Sequence, residues 1–501
     1  MNTQKPEWND ANNALAGCGL SVVTTGYLLR YVKFLKDLLG EGSPEELLIS
    51  RPLVSLIQAM SKAFSGAGWQ NQDLNSQEGV YSLVEEVGLA LEQYRNEVVH
   101  PEDQEPVSYA ANSVREFLDH SEGAIEQVLQ SNQRKDGLWH AYNVLEIGRE
   151  EKTMGLRRLP VMLEGQVAIL SSGCLDSDES LALLEALPSS DLRSQRHPTY
   201  LLYPDRELPR FMEMNHLGED QVTKVEALAE MIVNGDERLV VRDPEGGYRF
   251  HHSLTNSYEL NGAMNAIEGL SSEDQIEIEA LYESVFQHQM FTGRSGSMFG
   301  YEGLGCVYWH MVSKLMVAAQ EVTLEAMEKG ADAETLRRFA GAYFSVQAGL
   351  GYRQSPGQYG AFPAEPYSHS SGQAGAQQPG LTGQVKEGIL CRLGELGVDF
   401  IEGQLAFRPR LLRSAEFEGL GARPDQAAIP AGVISFTFAG TAVTYYRNTS
   451  ADTAIVRVRY STGEEKAFDG ILDCETSSEI LSRSGKISSI DVQVPASWLI
   501  Y

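Results

Sequence analysis

The spacing of apolar residues constrains the fold of this chain more than any other feature. From about residue 20 to residue 400, these residues recur mostly every three or four positions, as in LSVVTTGYLLRYVKFLKDLLG, VYSLVEEVGLALEQY, QIEIEALYESVF and CVYWHMVSKLMVAAQEVTLEAM. Such spacing is typical of amphipathic helices that pack in pairs around one core. We find no short-period repeat of the solenoid kind, so a mainly α fold arranged as a toroid of helical hairpins is favoured over an open stack.

The pattern changes near the end of the chain. After about residue 405, segments such as GVISFTFAG, AIVRVRYSTG and ISSIDVQV alternate in polarity and are rich in β-branched residues, which predicts strands. We therefore divide the chain into a helical part over residues 1–405 and a small antiparallel β-sandwich domain over residues 406–501. We expect the small domain to pack against the helical part and to close one of its ends.

The composition favours a neutral substrate. With 40 Lys+Arg against 69 Asp+Glu, the formal net charge is -29, so nucleic acid would be repelled whereas an oligosaccharide would not. The five cysteines are scattered and lack metal-ligand spacing, which predicts reduced thiols, no metal and no cofactor. Neither a signal-peptide pattern nor a membrane-length apolar run of about 18 residues occurs, so we expect a cytoplasmic protein that does not contact membranes.

Two long joints between helices have the composition of a sugar-binding site. Residues 293–305 and 351–383 combine Gly, Pro and amide side chains with aromatic rings, which a flexible Gly/Ser linker lacks. Aromatic rings stack on sugar faces, and amides bind hydroxyl groups. Phe299, Tyr301 and Tyr359 are therefore candidates for stacking on glucose, although a single aromatic residue in a helical protein more often belongs to the core.

Two short motifs carry groups suited to catalysis and to anion binding. Asp10 follows Trp8 closely in PEWNDANNAL, and an indole beside a carboxyl group favours the protonated form that a general acid needs. Thr382 and Gly383 stand at a helix entrance in PGLTGQVKEGIL, where free N–H groups can bind phosphate. Each motif also has a structural interpretation, with Asp10 as a cap or solvated loop residue and Thr382 as an ordinary N-cap.

In order and separation, these motifs resemble those of the cellobiose and chitobiose phosphorylases, glycoside hydrolase family 94. The WND motif and its following helix, EGQVAILSSG at 164–173, and PGLTGQVKEGIL are similar to the family's catalytic, Gln-containing and phosphate-binding segments. The resemblance implies that Asp10 is the general acid and that Trp8 and Gln166 contact substrate. It also implies that Thr382 and Gly383 bind phosphate, and that the helices form an (α/α)6 barrel.

Three segments look closest to the 1,2-β-oligoglucan phosphorylase branch of that family: LLYPDRELPRF, GYEGLGCVYWHMVSKL and GAQQPGLTGQVKEGIL. The implied activity is inverting phosphorolysis and synthesis of β-glucosidic bonds, β-1,2-linked in particular, with α-glucose 1-phosphate as the product. Inorganic phosphate is then a substrate that serves as the nucleophile, so one general acid suffices and no cofactor is implied.

The chain departs from the family pattern in two places. Family members carry a β-sandwich and the first barrel helices before WND, which here lies within the first ten residues. We therefore expect a C-terminal portion with a barrel incomplete at its N-terminal side, which forms a homodimer or associates with a separately encoded N-terminal half. Near the place of the family's phosphate-binding His stands Tyr301, so His310 and His369 are the candidates for that role, and His310 is equally interpreted as a core residue. Arg294 and Lys386 could add positive charge near phosphate.

Two other functions remain open on the sequence. The first is an inverting β-glucan hydrolase on the same helices, with Asp10 as the acid and Glu302 as the base that activates water. The second is a non-catalytic glycan-binding subunit, which the late start of the family resemblance favours. Dependence of the reaction on phosphate separates a phosphorylase from both.

Overall fold

The computed structural model of the chain describes residues 19–40, 42–65, 77–99, 105–148, 152–195, 198–204, 214–286, 307–353, 385–419 and 431–500. About half of these residues are helical, as the apolar spacing predicts. The helices are α1 (Val22–Leu38), α2 (Arg51–Ser65), α3 (Gln77–Val99), α4 (Ala111–Gln130), α5 (Leu163–Ser171), α6 (Ser177–Ala186), α7 (Glu219–Lys224), α8 (Glu226–Val233), α9 (Ser257–Asn265), α10 (Ser272–Phe286), α11 (Trp309–Glu328), α12 (Ala333–Gly349), α13 (Val385–Glu395) and α14 (Cys474–Leu481).

The strands form five small sheets among the described residues. The strands are β1 (Gly19–Ser21), β2 (Glu46–Ser50), β3 (Pro106–Ala110), β4 (Tyr142–Gly148), β5 (Thr153–Arg158), β6 (Val240–Arg242), β7 (Tyr248–Phe250), β8 (Val398–Ile401), β9 (Gln404–Phe407), β10 (Val433–Phe438), β11 (Thr441–Asn448), β12 (Ile455–Tyr460), β13 (Glu465–Phe468) and β14 (Ile487–Pro495). Antiparallel pairs join β1 with β4, β4 with β5, β2 with β3, β6 with β7, and β8 with β9.

Helices α1 and α5 lie side by side and run in the same direction. Gly26 of α1 faces Ala168 of α5, and Arg30, one turn later, donates to the carbonyl oxygen of Ser171 at 3.3 Å. Because the residue numbers rise together along both helices, the pair is parallel. Gly26 permits the close approach, since a Cβ atom there would lie 3.1 Å from the Ala168 carbonyl oxygen.

Helices α11 and α13 form a second parallel pair. The ammonium of Lys314 lies 3.6 Å from Glu387 Oε1 near the beginning of both helices. Further along, Gln320 Nε2 donates to the carbonyl oxygen of Cys391 at 2.7 Å. The two contacts fix the register of α11 against α13 and bury the Gln320 amide between them.

All four of these helices point the same way. Their C-terminal halves line one cleft, to which α1 contributes Phe34, α5 contributes Ser171, α11 contributes Glu325 and α13 contributes Gly394. Since both pairs are parallel and their C-terminal ends gather at this cleft, the four N-termini lie together at the opposite end. We call this the N-terminal end of the helix array.

A further helix packs on the outside of the array in the opposite direction. Lys36 near the end of α1 contacts Asp119 of α4 at 2.6 Å, and Lys33 contacts Glu126 at 3.0 Å, so the numbers run in opposite senses. Parallel inner helices with antiparallel outer partners are what a toroid of helical hairpins needs. The described elements form no closed barrel, so the predicted (α/α)6 ring is not established by them.

Residues 214–286 build a small unit around their own core. Helices α7 to α10 and the β6–β7 hairpin bury Leu228, Phe250 and Ile278, with the Tyr282 hydroxyl donating to the Leu254 carbonyl oxygen at 2.8 Å. The segment QVTKVEALAEMIV has the apolar spacing of a single helix, but the backbone leaves helical geometry at Val225, which separates α7 from α8.

The C-terminal part differs from the predicted antiparallel sandwich. Strands β10 to β14 form one five-stranded sheet in the order β10-β11-β14-β12-β13, and β14 pairs with β11 in parallel. After β13 the chain forms α14 and then β14, which inserts between β11 and β12. Strand β14 therefore runs parallel to β11, whereas neighbouring strands of a simple meander are antiparallel. The sheet is therefore mixed, and its core includes Leu396 and Leu405, to which the hydroxyl of Tyr445 adds a hydrogen bond to the Leu396 carbonyl oxygen. The boundary at residue 405 stays a prediction.

Candidate functional site

Two of the ten residues that the sequence assigns to the site, Gln166 and His310, belong to the described part of the chain. The other eight lie outside the described residues, and so do Arg294 and Glu302. These eight are Trp8, Asp10, Phe299, Tyr301, Tyr359, His369, Thr382 and Gly383. Their roles stay predictions, and the site is built here from the described residues around them in the sequence.

Gln166 lies in the first turn of α5 and is completely buried. Its Nε2 donates to the carbonyl oxygens of Trp139 at 2.8 Å and of Met162 at 2.9 Å, and its Oε1 accepts from the Trp139 N–H at 2.9 Å. The amide thus fastens the segment before β4 to the entrance of α5. A contact of Gln166 with substrate stays a prediction.

His310 lies in the first turn of α11 and is partly buried. Its ring centroid is 5.2 Å from that of Tyr308, which is exposed, and its carbonyl oxygen accepts from the Ser313 hydroxyl at 2.8 Å. His310 therefore lies at the N-terminal end of the helix array, where a bound anion would meet it. Its role in binding phosphate stays a prediction.

Both of the predicted site residues that the structure describes lie at the N-terminal end of the helix array. Gln166 and His310 are in the first turns of α5 and α11, Thr382 and Gly383 directly precede α13 in the sequence, and Asp10 lies upstream of α1. The first four N–H groups of each helix lack partners within the helix, and the helix dipole is positive at this end. The first N–H groups of α1 and α5 are bonded to the carbonyl oxygens of Ala141 and Leu202. The positive ends of the four helix dipoles still face this end of the array, and that charge favours an anion there.

A buried carboxyl group that the sequence reasoning missed lies at the same end. Glu164 is 3% exposed and accepts from the Tyr142 hydroxyl at 2.9 Å. Tyr27 is 39% exposed, but partial burial of its phenol, followed by the negative charge of Glu321, raises its pKa and keeps it neutral. Residue spacing alone gives no signal for Glu164. EGQVAILSSG has the pattern of a helix start, and a Glu in the first turn of a helix is common because it interacts favourably with the helix dipole.

A second group of charges, also missed by the sequence reasoning apart from Lys386, surrounds the first turn of α13. The carboxylate of Glu387 is 4% exposed and lies 3.6 Å from Lys314 and 3.7 Å from Lys386. Tyr352 packs on the same turn, since a Cβ atom on Gly388 would meet its hydroxyl oxygen at 2.6 Å. The one available sequence signal is that Lys314 follows His310 by one helical turn and shares its face.

The cleft at the opposite end of the helix array has a different character. Its volume is about 530 Å³, and its lining includes four basic and five acidic side chains, among them Arg30 and Glu321, which form two hydrogen bonds of 2.9 Å. Arg408 contacts Asp399 at 3.1 Å in the same cleft. The paired charges nearly cancel, and neither Gln166 nor His310, the two predicted site residues that the structure describes, lines this cleft. We therefore place the candidate site at the N-terminal end.

Two further properties bear on the class of site. In the described ranges, no group of three or more His, Cys, Asp or Glu residues is arranged to hold a metal ion. Among the helices of those ranges, none combines the length and the apolar character that crossing a bilayer requires.

Comparison with protein families gives one match. Residues 208–289 match the sequence model of GH149 phosphorylase insertion domain 2. The match covers about a sixth of the chain and coincides with the separately cored unit of residues 214–286. It supports a glycoside phosphorylase of the GH149 kind, and not specifically the family 94 or oligoglucan branch that the motifs resemble. No curated protein matches the chain.

Proposed function

We propose that this protein is an inverting glycoside phosphorylase, which cleaves and builds β-glucosidic bonds of gluco-oligosaccharides with inorganic phosphate and yields α-glucose 1-phosphate. The observation that carries the proposal is the match of residues 208–289 to an insertion domain of a phosphorylase family. The WND and TG motifs support it independently, because they resemble those of another phosphorylase family. We propose a cytoplasmic location for this activity.

The proposed mechanism uses one acid and an anion pocket. Asp10 donates its proton to the glucosidic oxygen while phosphate, held by Thr382 and the Gly383 N–H, attacks the anomeric carbon from the opposite face. Val385 begins α13, and three residues of chain span at most about 11 Å, so an anion bound at Thr382 would lie close to the N-terminal end of α13. The pocket replaces the second carboxylate of a hydrolase, since phosphate is already a nucleophile.

The remaining predicted residues would bind the sugar and complete the pocket. Trp8, Phe299, Tyr301 and Tyr359 supply aromatic faces for glucose rings. Gln166, whose amide is bonded to the backbone of Trp139 and Met162, holds the entrance of α5 in place. His310 and His369 are the candidates for the histidine that contacts phosphate. Of these residues, His310 has the support of its position at the N-terminal end of the helix array.

The linkage is the finer part of the proposal. The motif resemblance favours β-1,2-linked glucans, whereas the match to the insertion domain does not distinguish one linkage from another. A panel of β-1,2-, β-1,3- and β-1,4-linked gluco-oligosaccharides therefore decides the linkage, with β-1,2 as the expectation. The linkage found in the panel does not affect the proposal of phosphorolysis itself.

An exposed apolar face on α1 supports the proposed association with another chain. Tyr27, Tyr31, Phe34 and Leu38 are exposed at spacings of four, three and four residues, the pattern of a helix that packs against one other helix. We propose that a helix of a separately encoded N-terminal half covers this face, with a homodimer as the alternative. Light scattering of the isolated chain separates the two, since only a homodimer would dissociate on Phe34→Glu.

The experiment that tests the function follows the panel with and without inorganic phosphate. We expect sugar phosphate to form only when phosphate is present, and Asp10→Asn to lower the rate on unactivated oligosaccharides by at least about a hundredfold with the melting temperature unchanged. Wild type and Asn12→Asp serve as controls. The second exchanges the same two residue types two positions along the chain. Release of reducing sugar without phosphate would show a hydrolase. Binding of oligosaccharide without turnover, even when the N-terminal half is added, would show a glycan-binding subunit.

A further inference from the structure

Lys314 is a cation at the entrance of α13 to which no motif assigns a role. It lies in the second turn of α11, one turn after His310, and its ammonium is 3.6 Å from Glu387 Oε1. Its side chain is 38% exposed, so the charge reaches an opening and is not sealed in the core. Lys386 approaches the same oxygen at 3.7 Å from the neighbouring position on α13.

The other oxygen of this carboxylate is unsatisfied. Glu387 is 4% exposed, and its Oε2 is buried without a hydrogen-bond partner in the part of the chain that the structure describes. A buried carboxylate oxygen that lacks a donor costs free energy that most native sites avoid. A group beside Lys314 that donates a hydrogen bond to this oxygen and accepts one from the ammonium would satisfy both side chains.

The local charge favours an anion despite the acidic protein around it. Two ammonium groups face one carboxylate, and the first turn of α13 adds the positive end of the helix dipole. Monohydrogen phosphate fits both requirements, because it carries acceptor oxygens for the cations and one P–O–H donor for the carboxylate. Sulfate has the same shape but no proton to donate at neutral pH.

We propose that Lys314 and Glu387 form part of the phosphate-binding site, with Lys314 binding a phosphoryl oxygen and Glu387 Oε2 accepting the hydrogen bond of the P–O–H group. The inference rests on the proposed function, in which phosphate binds at this helix entrance, and it names two residues and a selectivity that the motifs do not contain. The ion pair with Glu387 holds Lys314 in position. No bond to phosphorus forms or breaks in this step.

The test titrates inorganic phosphate and sulfate into the full chain by calorimetry, with Lys314→Met, Glu387→Gln and the control Lys329→Met. Lys329 lies at the far end of α11 and pairs with Glu325 at 2.7 Å, so its loss should leave phosphate affinity unchanged. We expect Lys314→Met to weaken phosphate binding about tenfold or more, as the loss of a charge-assisted hydrogen bond does. An affinity within about twofold of the wild type would overturn the role of Lys314.

Glu387→Gln tests the preference for phosphate over sulfate. This test stays informative even if Lys314→Met fails to fold. Wild type should bind phosphate at least about tenfold more tightly than sulfate, and the glutamine variant should lose most of that preference, because its amide no longer accepts as a carboxylate does. A purely structural ion pair predicts lower melting temperatures in both variants with the phosphate-to-sulfate ratio unchanged, which would refute the proposal.

The binding readout keeps this inference separate from the proposed function. If wild type binds phosphate through Lys314 but releases no sugar phosphate from any oligosaccharide, the phosphorylase proposal fails and the anion site stands. If wild type turns over and its KM for phosphate is insensitive to Lys314→Met, the phosphorylase proposal stands and the anion site fails.

Discussion

His140 and Gln166 secure one short segment against α5 at the N-terminal end of the helix array. Gln166 uses its amide on the backbone of Trp139, and the His140 ring nitrogen Nδ1 donates to the Leu159 carbonyl oxygen at 2.8 Å. Burial, with smaller contributions from the charges of Arg134 and Arg158, lowers the pKa of His140 below its usual value near 6.5. The hydrogen bond to Leu159 opposes this effect but does not cancel it.

We therefore predict a loss of stability in mild acid that depends on His140. Since the folded-state pKa is lower than the unfolded one, the native state binds fewer protons, and the stability present above about pH 6.5 falls as the pH drops towards the folded-state pKa. Melting temperatures of wild type and His140→Gln between pH 7.5 and 5 test this. The wild type should lose more stability than the variant over that range, and parallel curves would refute the assignment.

At the scale of elements, α11 and α13 approach closely because α13 has a glycine at the contact. A Cβ atom on Gly394 would overlap the side-chain amide of Gln320, which is buried and donates to the Cys391 carbonyl oxygen at 2.7 Å and to the Tyr343 hydroxyl at 3.2 Å. The amide cannot rotate away without giving up both hydrogen bonds. This contact fixes the distance between α11 and α13, whose N-terminal ends belong to the proposed phosphate site.

Gly394→Ala should therefore destabilise the protein although alanine is the better helix former. Overpacking costs about 1–3 kcal/mol, which exceeds the gain of about 1 kcal/mol from helix propensity. Gly341→Ala on α12 is the matched control, because no atom lies within 4 Å of its added Cβ, and it should raise the melting temperature. A Gly394→Ala protein as stable as this control would show that α11 and α13 do not pack as described.

The elements themselves were largely predictable, and their arrangement was not. The apolar spacing predicts α1 from about Leu20 to Gly40, and in the structure α1 spans Val22–Leu38. The alternating segments after residue 405 form strands, as predicted. Alternation says which face of a strand is buried but not which strand lies beside it or in which direction, so the parallel pairing of β11 with β14 was missed. Burial of Glu387 depends on α11, which lies some 70 residues away in sequence, and no local pattern reports it.

For the whole molecule, the parallel direction of α1, α5, α11 and α13 has a functional consequence. It collects four positive helix ends in a protein with a formal charge of -29, so an anion is favoured locally while the surrounding field disfavours large polyanions. The four residues Gln166, His310, Lys314 and Glu387 lie at that end. This charge distribution is compatible with the proposed substrates, a small anion and a neutral sugar.

The most direct test of this account is a time course of the reaction products by ³¹P and ¹H nuclear magnetic resonance, with a β-linked gluco-oligosaccharide and inorganic phosphate as the only substrates. The account predicts that the phosphate signal decreases in step with the appearance of α-glucose 1-phosphate, with no β-anomer at the earliest times. Free glucose formed at constant phosphate, or a β-anomer as the first product, would contradict it.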